Sequence, residues 1–144
     1  MIEQLDALYR DVILEHFKHP SHVGELPDAT VTAEGANPLC GDELTMSLRL
    51  SQDRVVQARF RGKGCAISQA AASMLTQQLE GRTVPEVRSL IEAMRGGMQG
   101  QAPDATVDVG DLEALAGVRK FPVRIKCAAL SWNVVEQALS TLSR

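Results

Sequence analysis

Three cysteines and one aspartate are the residues of this chain best suited to chemistry. Cys40 and Asp42 stand in the run Asn37-Pro38-Leu39-Cys40-Gly41-Asp42, Cys65 follows Gly62-Lys63-Gly64, and Cys127 follows Arg124-Ile125-Lys126. In extended backbone, residues i and i+2 point to one side, so the Cys40 thiolate and the Asp42 carboxylate can converge. Gly41 between them lets the loop fold without a Cβ clash. Three thiolates and one carboxylate would suit a tetrahedral zinc ion. Such a site would carry formal charge −2, so a nearby cation is expected, from Arg124, Lys126 or Lys63. No pair has the C-x₂-C spacing of a zinc ribbon. Spacing alone therefore leaves metal binding, a reactive thiol and plain core packing all open.

The elements around these residues can be read from periodicity. Residues 3–18 carry Leu5, Leu8, Tyr9, Val12, Ile13 and Phe17 on a helical stripe that Pro20 stops. From Ser21 to Pro38 the chain is rich in small residues, with a short strand read at Thr30–Thr32. Residues 43–50 alternate, Leu44, Met46, Leu48 and Leu50 facing one way. After the turn Ser51-Gln52-Asp53, Val56, Ala58 and Phe60 continue the period in a second strand. A hairpin sets the start of its first strand beside the end of its second, so Cys40 and Cys65 are expected as neighbours. Cys65 opens a helix to about Glu80, where helix N-terminal amides would lower a thiol's pKa. Thr83-Val84-Pro85-Glu86 reads as a capping box for a helix to about Met94. A loose stretch from Gly96 to Asp108, a short helix over Asp111–Ala116 and a last helix from Pro122 complete the chain. Nothing in spacing brings Cys127 to the other two cysteines; that needs the last helix to dock at their edge of the sheet.

The expected architecture is α+β: a small antiparallel sheet of about three strands, covered on one face by helices, in a single domain over residues 1–144. Hydrophobic residues make up 44% and charged residues 23%, ordinary for a globular protein, with aromatics scarce at 3%. A net charge of −3, with no long basic run, argues against a nucleic-acid partner. No stretch approaches the roughly 18 apolar residues of a membrane span. The acidic N-terminus is unlike a secretory signal, so a cytoplasmic location is expected. An odd cysteine number then speaks against a disulfide framework. His16, His19 and His22 read as a polar helix end and its turn; Asp108 and Asp111 read as turn and cap residues, and Trp132 and the methionines as core. No histidine is placed to make a cysteine hydrolase.

Taken in order, the motifs resemble the SufU branch of the NifU/IscU-like iron–sulfur assembly proteins. The resemblance runs from Tyr9-Arg10-Asp11-Val12-Ile13 and His16…Pro20…Gly24 through Asn37-Pro38-Leu39-Cys40-Gly41-Asp42. It continues in Gly62-Lys63-Gly64-Cys65-Ala66-Ile67-Ser68, Gly110-Asp111-Leu112-Glu113-Ala114-Leu115 and Lys120-Phe121-Pro122-Val123-Arg124-Ile125-Lys126-Cys127-Ala128. Scaffold-type relatives have His immediately before the third cysteine, where this chain has Lys126. The stretch from Gly96 to Asp111 matches an insertion carried by the SufU branch. The resemblance implies that Cys40, Asp42, Cys65 and Cys127 bind one zinc ion, and that a SufS-type cysteine desulfurase using pyridoxal phosphate is the partner. It further implies that a partner histidine displaces Cys40 from zinc, and that the freed thiolate takes up persulfide sulfur for a downstream Suf-type scaffold. On that reading the chain is a zinc-dependent sulfurtransferase acting with the desulfurase, Cys40 being its catalytic residue. The alternative is a scaffold assembling a transient [2Fe–2S] cluster on the same four residues. A structural zinc module without a reactive thiol is the third reading.

Overall fold

The computed structural model describes residues 7–38, 40–101 and 106–142. Helix α1 (Ala7–Lys18) is followed by strands β1 (Val31–Asn37), β2 (Asp42–Ser51) and β3 (Arg54–Lys63). Helices α2 (Ala66–Leu79) and α3 (Val84–Met98), a 3₁₀ segment (Gly110–Lys120) and helix α4 (Pro122–Leu142) complete it. The strands form one antiparallel sheet in the order β1-β2-β3. The α+β architecture expected from the sequence is the one observed.

Residues 44, 46 and 48 of β2 do point into the core, with Leu44 3%, Met46 0% and Leu48 0% exposed. Leu50, at the strand's end, is only half-buried. In β3 the expected pattern fails at one residue. Val55 is buried and Val56 exposed, because the register shifts between Arg49 and Leu50: Arg49 faces Gln57 while Leu50 faces Val55. Val56 is thus the extra residue of a bulge, and beyond it the alternation turns over. Ala58 and Phe60 keep their expected inward direction.

β1 runs to Asn37, well past the expected Thr30–Thr32. Its residues Ala33-Glu34-Gly35-Ala36 have little strand propensity of their own. What makes them a strand is the complete ladder with β2, from Val31 opposite Leu48 to Asn37 opposite Asp42. Gly35 lies on the helix-facing side, where an added Cβ would meet Val134 Cγ2 of α4 at 2.8 Å. The sheet and α4 approach each other most closely there.

α4 is the central helix. Ala128, Leu130, Trp132, Val134, Val135, Ala138 and Leu139 are buried over most of its circumference, as suits a helix with the sheet on one side and α2, α3 and the 3₁₀ segment on the other. α2 lies beside it over β3, with Ala70, Ala71, Ala72, Met74, Leu75 and Leu79 all inaccessible to solvent. The expected capping box of α3 is present: Thr83 Oγ1 accepts from Glu86 N at 3.3 Å, and Glu86 Oε1 accepts from Thr83 N at 3.0 Å. α3 runs to Met98, beyond the expected Met94, through Gly96 and Gly97. Packing of Met94 and Met98 on the core holds the helix where two glycines weaken it. The expected short helix at Asp111–Ala116 is a longer 3₁₀ segment, and residues 102–105 of the loop before it lie outside the described residues.

α1 departs most from its reading. Its expected start, residues 3–6 with Leu5, lies outside the described residues. The core face carries Tyr9, Val12, Ile13 and His16, while Leu8 and Phe17 are 66% and 43% exposed. His16 is no polar helix end: it is buried, its Nδ1 2.7 Å from Ser73 Oγ of α2 and its Nε2 2.8 Å from Asp111 Oδ2 of the 3₁₀ segment. Asp111 is therefore a partner of His16, while Asp108 is the expected turn residue, its Oδ1 accepting from Gly110 N at 3.0 Å. His22 pairs with Glu80 Oε1 at 3.0 Å and His19 is exposed, so the three histidines do not cluster.

Candidate metal centre

The ladder registers decide what meets at the end of the sheet. Asn37 and Asp42 face each other as the last pair of β1 and β2, both on the helix-facing side and both buried. Between them the chain turns through Pro38, Cys40 and Gly41, with Cys40 half-buried and Gly41 at φ +69°. Leu39 in this loop lies outside the described residues. β3 ends at Lys63 opposite Glu43, and Gly64 then delivers Cys65 to the N-cap position of α2. Asp42 consequently reaches the first turn of α2: its Oδ1 accepts from Cys65 N at 2.9 Å and from Ser68 Oγ at 3.1 Å.

Cys127 enters from α4 and is fully buried. Its sulfur lies 3.1 Å from the Cys40 sulfur, and all three cysteines are free. Donor atoms of Cys40, Asp42 and Cys127 lie within 4.8 Å of one another. The docking of the last helix, which spacing could not supply, is what brings Cys127 there. Cys65, expected as a fourth ligand, stands at the margin: its amide holds Asp42, but its sulfur is outside the 4.8 Å group.

Of the three expected cations, Arg124 reaches the sulfurs, its Nη1 3.8 Å from Cys40 Sγ and 3.9 Å from Cys127 Sγ. The hydrogen bond to Cys127 raises the guanidinium above its ordinary value, desolvation opposes this, and negative charge on Cys65, Cys127 or Cys40, whenever one is deprotonated, reinforces it. Lys63 instead pairs with Glu43 at 3.1 Å, and Lys126 is exposed. Two further residues escaped the sequence reading. Asn37 Nδ2 donates to Cys127 Sγ at 3.8 Å, and Ser68 holds Asp42. Extending the β1–β2 pairing outward from Thr32 and Ser47 would have set Asn37 opposite Asp42.

Burial foremost, then hydrogen bonding with Cys40, Asp42 and Cys65 and the charge of Cys65, push the Cys127 thiol far above its ordinary value. In the metal-free protein this thiol keeps its proton, which an entering metal must displace. Asp42 supplies the clearest test of fit. Its Oδ2 is buried and no donor among the described residues reaches it in hydrogen-bonding geometry, although the carboxylate lies close enough to the Cys127 thiol to raise it. An uncompensated buried carboxylate oxygen is costly, and a cation beside the two sulfurs would satisfy it. Thiolate and carboxylate donors together suit zinc or iron.

The fold and this pocket define a small α+β protein whose sheet end carries a sulfur-rich cluster that could hold a metal ion. Residues 8–128 match the NifU-like N-terminal domain, and the chain belongs to that family. It is 45% identical to the zinc-dependent sulfurtransferase SufU of Bacillus subtilis, over 94% of this chain and 92% of that protein. It is 37% identical to the iron–sulfur cluster assembly scaffold protein IscU of Streptococcus pyogenes, over 96% and 86%. Among solved structures, FiSufU of Fervidobacterium islandicum AW-1 superposes with a TM-score of 0.85 at 32% identity, covering 90% of this chain and 94% of that one.

Proposed function

We propose that this protein is a zinc-dependent sulfur-transfer protein of iron–sulfur cluster biogenesis, taking persulfide sulfur from a SufS-type cysteine desulfurase onto Cys40. The observation that carries the reading is the convergence of Cys40, Asp42 and Cys127 around a carboxylate oxygen that lacks a partner. Cys40, Asp42, Cys65 and Cys127 would hold zinc, Cys65 joining by a turn of its side chain from the N-cap of α2. Bound zinc would keep the thiols deprotonated and, being redox-inert, would leave their sulfur chemistry reversible. The 45% identity to a zinc-dependent sulfurtransferase favours zinc as the resident ion.

The four residues differ in freedom, and that difference supports Cys40 as the acceptor. Cys127 is fixed within α4 and Asp42 within β2, while Cys65 caps α2. Cys40 alone sits in a turn, beside a glycine in the left-handed region. Its thiolate can leave the site with little movement of the backbone. Attack on the outer sulfur of the desulfurase persulfide forms a new S–S bond to Cys40 and releases the desulfurase cysteine as thiolate, with no net oxidation. Arg124 lies where it can balance the negative charge of the resulting perthiolate. A downstream Suf-type scaffold would receive the sulfur, in the cytoplasm.

Cys40→Ala tests this directly. Sulfur transfer, read as stimulation of desulfurase turnover, should fall to the unstimulated rate while zinc content and fold persist. Unimpaired stimulation would refute the assignment. A scaffold role on the same residues is favoured by the 37% identity to an IscU. Anaerobic reconstitution separates the two: visible charge-transfer bands support the scaffold, and zinc without them supports transfer.

A further inference from the structure

Asp42 is set up unlike an ordinary carboxylate ligand, and Ser68 is the cause. Each carboxylate oxygen has two lone-pair positions. Both positions on Oδ1 are used, one by the Cys65 amide at 2.9 Å and one by the Ser68 hydroxyl at 3.1 Å. Oδ2, equally buried, has neither donor. Ser68 is itself 3% exposed. Its hydroxyl also lies 3.1 Å from the Cys65 carbonyl oxygen, but the single proton goes to the anionic acceptor, which makes the stronger bond. Gln69 Nε2 donates to Ser68 Oγ at 3.4 Å, which helps fix the hydroxyl oxygen. Gly64 makes the arrangement sterically feasible, because a Cβ there would overlap both Asp42 Oδ1 and Ser68 Oγ.

We infer that Ser68 is a positioning residue for the metal: with the Cys65 amide it occupies Oδ1, so that Asp42 offers a single oxygen, Oδ2, to the ion. This rests on the zinc reading above and deepens it. A carboxylate free to rotate could swing both oxygens toward a cation or turn away from it. Held at Oδ1 it acts as a fixed one-oxygen donor, which matches a four-coordinate ion better than a two-oxygen grip. The carboxylate also stays in place when Cys40 leaves, so the ion is retained through the transfer.

The test is zinc affinity by competition with a chromophoric chelator, in wild type, Ser68→Ala, Asp42→Ala and the double variant. Loss of a group that orients a metal ligand weakens binding by roughly 10–100-fold, and Ser68→Ala should fall in that range. In the Asp42→Ala background, Ser68→Ala should have almost no further effect, because Ser68 acts through that carboxylate. A merely structural role would instead give the same loss in both backgrounds. Circular dichroism and melting of the metal-free proteins exclude misfolding. Should Ser68→Ala not fold, Ser68→Thr, which keeps the hydroxyl, must bind zinc as the wild type does. Wild-type affinity in Ser68→Ala, or equal losses in the two backgrounds, overturns the inference and leaves the zinc reading standing. A wild-type protein that takes up no zinc overturns both.

Discussion

At the scale of single residues, the site depends on groups that touch the ligands as much as on the ligands themselves. Gly64 shows this most simply. A methyl group added there must displace the Asp42 carboxylate or the Ser68 hydroxyl, and its backbone, at φ +152°, is one that side chains rarely adopt. Gly64→Ala is expected to lower zinc content strongly, with far less change in helix content; metal analysis beside circular dichroism checks it. Away from the site, Glu80 carries a clear pH signature. Burial raises its carboxyl, but the Ala58 amide, His22 and Arg59 together outweigh that and hold it below the ordinary 4.5. A carboxyl lowered on folding adds stability above its unfolded value, and that stability is lost as pH falls through the folded value. Glu80→Gln should therefore destabilise the protein at about pH 7 and much less near pH 3, as read by urea unfolding at both.

Elements carry the next level, and two of them make separable predictions. The α3 capping box satisfies amides that the first turn would otherwise leave open. Thr83→Ala should cost about 1 kcal/mol and lower Tm without touching zinc content. The bulge in β3 predicts an inversion of what alternation alone would suggest. Val55→Ala should cost roughly 2 kcal/mol, while exposed Val56→Thr should stay within about 0.5 kcal/mol; denaturant melts distinguish them. The bulge was illegible in the sequence for a definite reason. Alternation is a property of one strand, whereas the bulge is a mismatch between two, and Gln57 gave no sign that it would sit opposite Arg49. The capping box was legible because its bonds join residues three apart.

For the whole molecule, what the sequence disclosed follows the same division between local and distant. The β2–β3 hairpin placed Cys40 and Cys65 at one end of the sheet, since its turn fixes the register. Cys127 belongs to a helix far along the chain, and its arrival depends on how α4 packs against β1, β2 and α2. His16 looks like a polar helix end in the sequence because its partners, Ser73 and Asp111, come from two other elements. Cys65 reads as a fourth ligand in the sequence, yet its sulfur is not among the donor atoms of Cys40, Asp42 and Cys127 that lie within 4.8 Å of one another.

Gly35 ties this long-range packing back to the sulfur atoms. It is remote from the pocket in function, but Val134, against which it rests, is about two turns beyond Cys127 on the same rod. A side chain at 35 would act as a shim, tilting α4 off the strands and drawing the deepest thiol away from its companions. Gly35→Ala should thus impair zinc uptake without altering any donor, and trimming the opposing surface with Val134→Ala should give much of it back. The distance between two layers of the protein is, in this sense, an adjustable setting of how its cysteines meet.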